Sequence, residues 1–202
     1  MPYLQWSRNL TALKDSLLRL GYNLIIPDAK YHGERSHELD FRPAGNLPPS
    51  ISRNEMDGIH FAGMMSASVK DLRILMDYFQ SQFEDPGMKF GVIGYSMGAA
   101  TAILLNAADD RISTIVACVP PLNHPEKETD DFLWPENIEK GLADVTPQNY
   151  SGMQDSPIIL LMGREDFFYT GEEVAAFYEN VPAAEKKLIY YESGHELPSG
   201  YI

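Results

Sequence analysis

A chain of 202 residues, 44% of them apolar and 11% aromatic, is long enough for one domain with a sizeable core, so disorder is not its default state. A formal charge of −13, from 16 basic against 29 acidic residues, argues against nucleic acid and anionic membranes as partners, because counterion release needs clustered Lys and Arg. No run approaches the roughly 18 apolar residues of a membrane span, Met1 to Gln5 lacks the pattern of a signal peptide, and the lone Cys118 allows no internal disulfide, so the chain reads as a soluble, cytoplasmic protein.

Leu10, Leu13, Leu17 and Leu20 recur at helical spacing and stop at Gly21, which predicts a first helix closed by a glycine. Asn23 to Ile26, followed by Pro27-Asp28, has the apolar look of a buried parallel strand. The stretch from Ala29 to Glu55 is rich in Pro, Gly, Ser and charge and predicts a long loop. Phe61, Met65, Val69, Leu72, Met76 and Phe79 return at steps of three and four, predicting a long amphipathic helix that ends before Pro86-Gly87, its methionines in the core.

Further strands are expected at about 89–95, 112–119, 158–162 and 187–191. Thr170 and Glu173 form a capping box that starts a helix after the third of these. Alternation of strands and helices predicts a three-layer α/β/α sandwich around a mostly parallel sheet, as a single domain over 1–202. Residues 120–151, with their acids, prolines, Phe132 and Trp134, break the rhythm and are expected to form a small cap, the acidic run Glu126 to Asp131 being a solvated face. Cys118, inside an apolar run, reads as a buried structural thiol.

Gly94-Tyr95-Ser96-Met97-Gly98 lies between the apolar run Phe90 to Ile93 and the small-residue helix start Ala99 to Leu105. A serine on a sharp strand-to-helix turn has its hydroxyl thrust clear of the sheet, and glycines two residues to either side let the backbone pass without clashes. A serine hydroxyl is a poor nucleophile near neutral pH, so Ser96 needs a histidine to take its proton and a carboxylate to orient that histidine. Asp166 follows one strand, in Gly163-Arg164-Glu165-Asp166, and His195 follows the last, in Ser193-Gly194-His195-Glu196. Both therefore sit at the C-terminal edge, where open parallel sheets place their ligands. Glu165 and Asp28 are rival carboxylates. Phe167, Phe168 and Tyr169 are candidates for an acyl pocket, and Tyr95 is a further binding candidate beside the nucleophile. His32 reads as a loop hydrogen-bonder, and His37, His60 and His124 as surface residues, since none shows the spacing of a metal site.

In the order Ser96, Asp166, His195, and in the run Gly21 to Asp28 followed by His32-Gly33-Glu34-Arg35, the chain resembles the α/β-hydrolase superfamily. It is most similar to small bacterial esterases related to dienelactone hydrolases and prolyl-oligopeptidase-like enzymes. The resemblance covers nearly the whole chain. It implies Ser96 as nucleophile, His195 as general base then acid, Asp166 as orienter in preference to Glu165, and the Met97 backbone N–H as one oxyanion donor. The implied activity is hydrolysis of a carboxylic ester or related acyl bond on a small molecule, with no cofactor and no metal. The open alternative is a catalytically impaired relative that serves in binding.

The family's second oxyanion donor comes from a His-Gly-rich loop ahead of its first helix, and no such segment precedes Met1-Pro2-Tyr3. The resemblance therefore implies a fold without its N-terminal strands and shortened at the far end, as in a fragment. An interior gap in the sheet would follow. It could close by direct pairing of the 23–26 strand with the 89–95 strand, or be filled by a neighbouring chain in a homo-oligomer.

Overall fold

The computed structural model describes residues 8–30, 32–38, 53–123 and 141–198. They fall into two compact units, Met1–Ile51 with Pro198–Ile202, and Ser52–Leu197.

The first unit holds helix α1, Arg8–Arg19. Its end is a Schellman motif: the Tyr22 N–H donates to the Leu17 carbonyl at 3.1 Å, the Gly21 N–H donates to that of Leu18 at 3.0 Å, and Gly21 takes φ +87. Only a glycine adopts that conformation without strain, so the predicted stop is the observed one. Downstream, the Asp28 carboxylate accepts the Glu34 N–H at 2.9 Å, and a Cβ on Gly33 would overlap it. Asp28 thus organises the 3-10 turn Gly33–Glu38, while His32 Nδ1 bonds the Lys30 carbonyl at 3.0 Å, as a loop hydrogen-bonder should.

The expected strand at 23–26 does not form. The segment carries no ladder pairing among the described residues, and Ile26 is 63% exposed. Apolar residues alone do not make a strand; a ladder partner must take up the backbone N–H and C=O groups.

The second unit contains α2, Arg53–Gln82, which starts inside the predicted loop and presents buried Met65 and Met76 with half-buried Val69 and Leu72 to the core. Strands β1 (Phe90–Tyr95), β2 (Ile112–Cys118), β3 (Ile158–Gly163) and β4 (Lys186–Tyr191) form one sheet in sequence order, and every neighbouring pair is parallel. Among the described residues β1 and β4 are its edges. Among the described residues no strand pairs with the outer side of β1, and Ile93 on this strand is 43% exposed.

Helix α3, Met97–Ala108, packs on β1, β2 and α2. Its Ala99, Ala100 and Ala102 are fully buried, small enough to let the helix axis lie close to the sheet. Helix α4, Gly171–Asn180, carries the predicted capping box and buries Val174 and Phe177. The described ends of the 120–151 segment join the core through Leu122 and Val145. Residues 124–140, with Phe132, Trp134, His124 and the acidic run, lie outside the described residues. Beyond this segment, buried Gln154 donates to the Ile103 carbonyl at 3.1 Å and accepts from Asn106 at 3.0 Å, tying α3 to the turn Pro147–Met153. No helix among the described residues is long and apolar enough to cross a membrane. Burial pushes the Cys118 thiol up to about 12, so the protonated, structural thiol expected of an apolar run is what the core contains.

At the N-terminal edge of the strands Arg111 grips Asp109 through two bonds of 2.7 Å, and Arg73 adds a third at 3.1 Å. The Arg111 guanidinium holds the Asp109 carboxyl down at about 2. Because this folded value lies below that of the unfolded chain, the stabilisation is present above pH ~4 and is lost as pH falls towards ~2. Asp109→Asn should therefore lower stability by about 2 kcal/mol near neutrality. The difference from wild type should shrink in acid, as read by denaturant unfolding at several pH values.

Candidate active site

The site is built where three strands end. Ser96 follows β1 directly and takes φ 50 and ψ −118 as the residue that opens α3. That backbone is strained for any residue with a side chain, by about 1–3 kcal/mol. The turn is held by Ser96 N–H donating to the Cys118 carbonyl at 2.9 Å, and by Ala99 and Ala100 donating to the Ser96 carbonyl. The Ser96 hydroxyl makes no cap bond to its own helix and is left for other work.

The two glycines of the motif are not equivalent. A Cβ on Gly94 would overlap the carbonyl of Gly98, whereas a Cβ on Gly98 meets nothing within 4 Å. The sequence-based account, in which both glycines prevent clashes, holds only for the first. Gly98→Ala should fold, with stability unchanged or raised by up to ~1 kcal/mol. Gly94→Ala should force strand and helix apart and lose at least ~100-fold in activity through misplacement of Ser96. Melting curves and turnover measured side by side on the two variants check both halves.

His195 Nε2 stands 2.8 Å from Ser96 Oγ, and its Nδ1 stands 2.8 Å from Asp166 Oδ2. The Asp166 side chain is fully buried and that of His195 is 19% exposed. A carboxylate can only accept, so Nδ1 carries the ring proton and the Nε2 lone pair faces the serine hydroxyl. The second carboxylate oxygen, Oδ1, accepts the Phe168 N–H at 2.9 Å, fixing the acid. Glu165, the rival, is exposed, and its N–H donates to the Ser193 carbonyl at 3.0 Å. Asp28 is engaged with its own turn.

Ser96 and His195 leave opposite edges of the sheet, and at ~4.8 Å per strand the loop after β4 must recross about 14 Å to reach Ser96. Gly163 at the end of β3 makes this crossing feasible, because a Cβ there would overlap the Gly194 carbonyl oxygen. At the far side Tyr95 receives the loop: its hydroxyl donates to the His195 carbonyl at 2.7 Å and accepts the Leu197 N–H at 3.3 Å. Burial, the largest influence, raises the pKa of this phenol and keeps it a donor. Neither Gly163 nor the Tyr95 clamp is readable from the sequence, since both depend on where the loop crosses. Gly163→Ala should lift the loop and separate the imidazole from the hydroxyl. The expected cost is about 10²-fold in kcat/KM, measured against a melting curve showing the sheet intact.

Met97 is the first residue of α3, where backbone N–H groups have no intrahelical acceptor and the helix dipole favours negative charge. Phe167 is 78% and Phe168 44% exposed, whereas Tyr169, grouped with them in the sequence, is buried. Its hydroxyl accepts the Gly163 N–H at 2.8 Å, a structural contact in place of a pocket wall. His60 is half-buried on α2, and the side chains of His37 and His124 lie outside the described residues. Among the described residues no three His, Cys, Asp or Glu side chains are grouped to hold a metal. A depression of about 710 Å³ lined by Arg73, Asp109, Arg111 and Met153 opens at the opposite edge of the sheet, where both guanidinium groups are already paired with Asp109.

Comparison with known proteins agrees with this architecture. The model of the family described as "Dienelactone hydrolase family" matches residues 5–196. YitV of Bacillus subtilis (strain 168), a protein named as an esterase, is 21% identical over 180 residues, covering 82% of this chain and 66% of YitV. The chain thus spans just under two thirds of that relative's length. Among solved structures, TT1662 from Thermus thermophilus superposes with a TM-score of 0.61 at 18% identity, over 84% of this chain and 68% of that one. The esterase Pf2001 of Pyrococcus furiosus reaches 0.47 at 24% identity, over 63% of this chain and 53% of its own. The fold shared with TT1662 is that of the α/β-hydrolases.

Proposed function

The chain belongs to the dienelactone hydrolase family, and from that premise we propose that it is a serine hydrolase that cleaves carboxylic esters of small molecules through an acyl-enzyme. Ser96 is the nucleophile, His195 the general base and then acid, and Asp166 the residue that orients and stabilises the imidazolium. The observation that carries this reading is the unbroken hydrogen-bonded chain, 2.8 Å from Ser96 Oγ to His195 Nε2 and 2.8 Å from His195 Nδ1 to Asp166 Oδ2.

In acylation the Ser96 Oγ bonds to the carbonyl carbon while its proton passes to Nε2. The carbonyl oxygen gains negative charge and is met by the Met97 N–H, at the positive end of α3. The tetrahedral intermediate collapses as the carbon–oxygen bond to the alcohol breaks, and Nε2 returns the proton to the departing oxygen. Water then repeats the sequence on the acyl-enzyme, releasing the acid and restoring Ser96. The fold hosts many chemistries, so the preference for esters rests on the family.

A fluorophosphonate probe tests the proposal directly, because only an activated serine displaces its fluoride. Mass spectrometry should place one phosphonyl adduct on Ser96. A chain that takes up no probe would instead be a non-catalytic relative of the fold.

A further inference from the structure

Phe167 and Phe168 are aromatic, adjacent and exposed, and they serve no core. Their ring centroids are 4.2 Å apart, and the Phe168 ring lies 4.4 Å from the imidazole of His195, with Phe167 at 6.1 Å. Exposed apolar residues scattered singly need no explanation, but two joined rings beside a reactive imidazole do. The backbone beneath them is held, since the Asp166 carboxylate that bonds His195 Nδ1 accepts the Phe168 N–H with its other oxygen. One acid therefore sets both the base and the platform beside it.

Resting on the acyl-transfer reading above, we propose that Phe167 and Phe168 form the subsite for the leaving alcohol, and that the preferred substrates are esters of aromatic or bulky apolar alcohols. The chemistry assigns the side. When the carbon–oxygen bond breaks, the departing oxygen must lie within about 3 Å of Nε2 to collect the proton, so the group attached to it extends along the imidazole and past it. The Phe pair is the exposed apolar surface beside that imidazole, with the Phe168 ring 4.4 Å and the Phe167 ring 6.1 Å from it. The acyl carbonyl, by contrast, must turn its oxygen to the Met97 N–H at the start of α3. The sequence-based expectation groups Phe167, Phe168 and Tyr169 as an acyl pocket; Phe167 and Phe168 are instead assigned to the other side of the scissile bond.

Esters that share an acyl group separate the two sides, because naphthyl acetate and ethyl acetate yield the same acetyl-enzyme and hence the same deacylation step. In Phe167→Ala and Phe168→Ala the ratio of kcat/KM for naphthyl acetate over ethyl acetate should fall about tenfold relative to wild type, the size of a lost aromatic contact. Phe167→Leu should lose less. The ratio for ethyl hexanoate over ethyl acetate should stay at its wild-type value. A loss that follows acyl length would put the pair in the acyl pocket, and an equal loss on all three esters would make it a shield for His195; either result overturns the subsite. Fluorophosphonate labelling of the wild type distinguishes the levels of failure. Labelling with either of those patterns removes the subsite alone, whereas no labelling removes the acyl-transfer reading and the subsite with it.

Discussion

Replacing Ser96 with alanine is expected to lower turnover of a short-chain chromogenic ester by about 10⁶-fold, the typical cost of removing a serine nucleophile. The size follows from the geometry: without Oγ no covalent intermediate can form, and the His195 lone pair faces a methyl group. Folding should be almost untouched, because the hydroxyl caps no helix, and alanine inherits the same positive φ with the same strain. A melting temperature near that of wild type, together with loss of both turnover and probe labelling, is the full expected result. Turnover within about tenfold of wild type would mean that another group attacks the substrate and would remove Ser96 from its assigned role.

Asp166→Asn should cost about 10⁴-fold in kcat. The amide is nearly isosteric, so the buried site stays filled and Oδ1 can still accept the Phe168 N–H. What changes is the proton inventory. The amide NH₂ now donates to Nδ1, the ring proton moves to Nε2, and the nitrogen facing Ser96 loses the lone pair it needs. Glu165→Gln is the matched control. Glu165 is exposed and its backbone, not its side chain, bonds the loop that carries His195. Turnover near wild type in that control, beside a collapse in Asp166→Asn, would assign the orienting role by function as well as by distance. The reverse pattern would exchange the two acids.

Much of this site was legible in the sequence because its chemistry is tied to local punctuation. The G-x-S-x-G turn, the acid after β3 and the histidine after β4 each lie one short step beyond an apolar run. Runs of Val, Ile and Leu that are buried on both faces are the most readable strands, and β2 and β3 fall where the pattern puts them. The strand at 23–26 misled for a physical reason: Leu24, Ile25 and Ile26 have a strand's composition, but a strand is defined by its partner, and partners are not written in a single segment. Gly98 misled in a different way. Motif spacing gives both glycines equal weight, whereas the close approach of strand and helix presses on Gly94 only. Gly163 and Tyr95 were out of reach, since their roles exist only once the loop after β4 has folded back across the sheet.

That recrossing also sets an order of events in the cell. Ser96 and His195 are 99 residues apart, and they follow the first and last strands of the described sheet. A ribosome adding roughly 5–20 residues per second incorporates Ser96 some 5–20 s before it incorporates His195. Throughout that interval the nascent chain carries a powerless alcohol, so on the proposed chemistry it cannot attack esters, or be caught by serine-directed poisons, until His195, beyond the final strand, has been added and folded back.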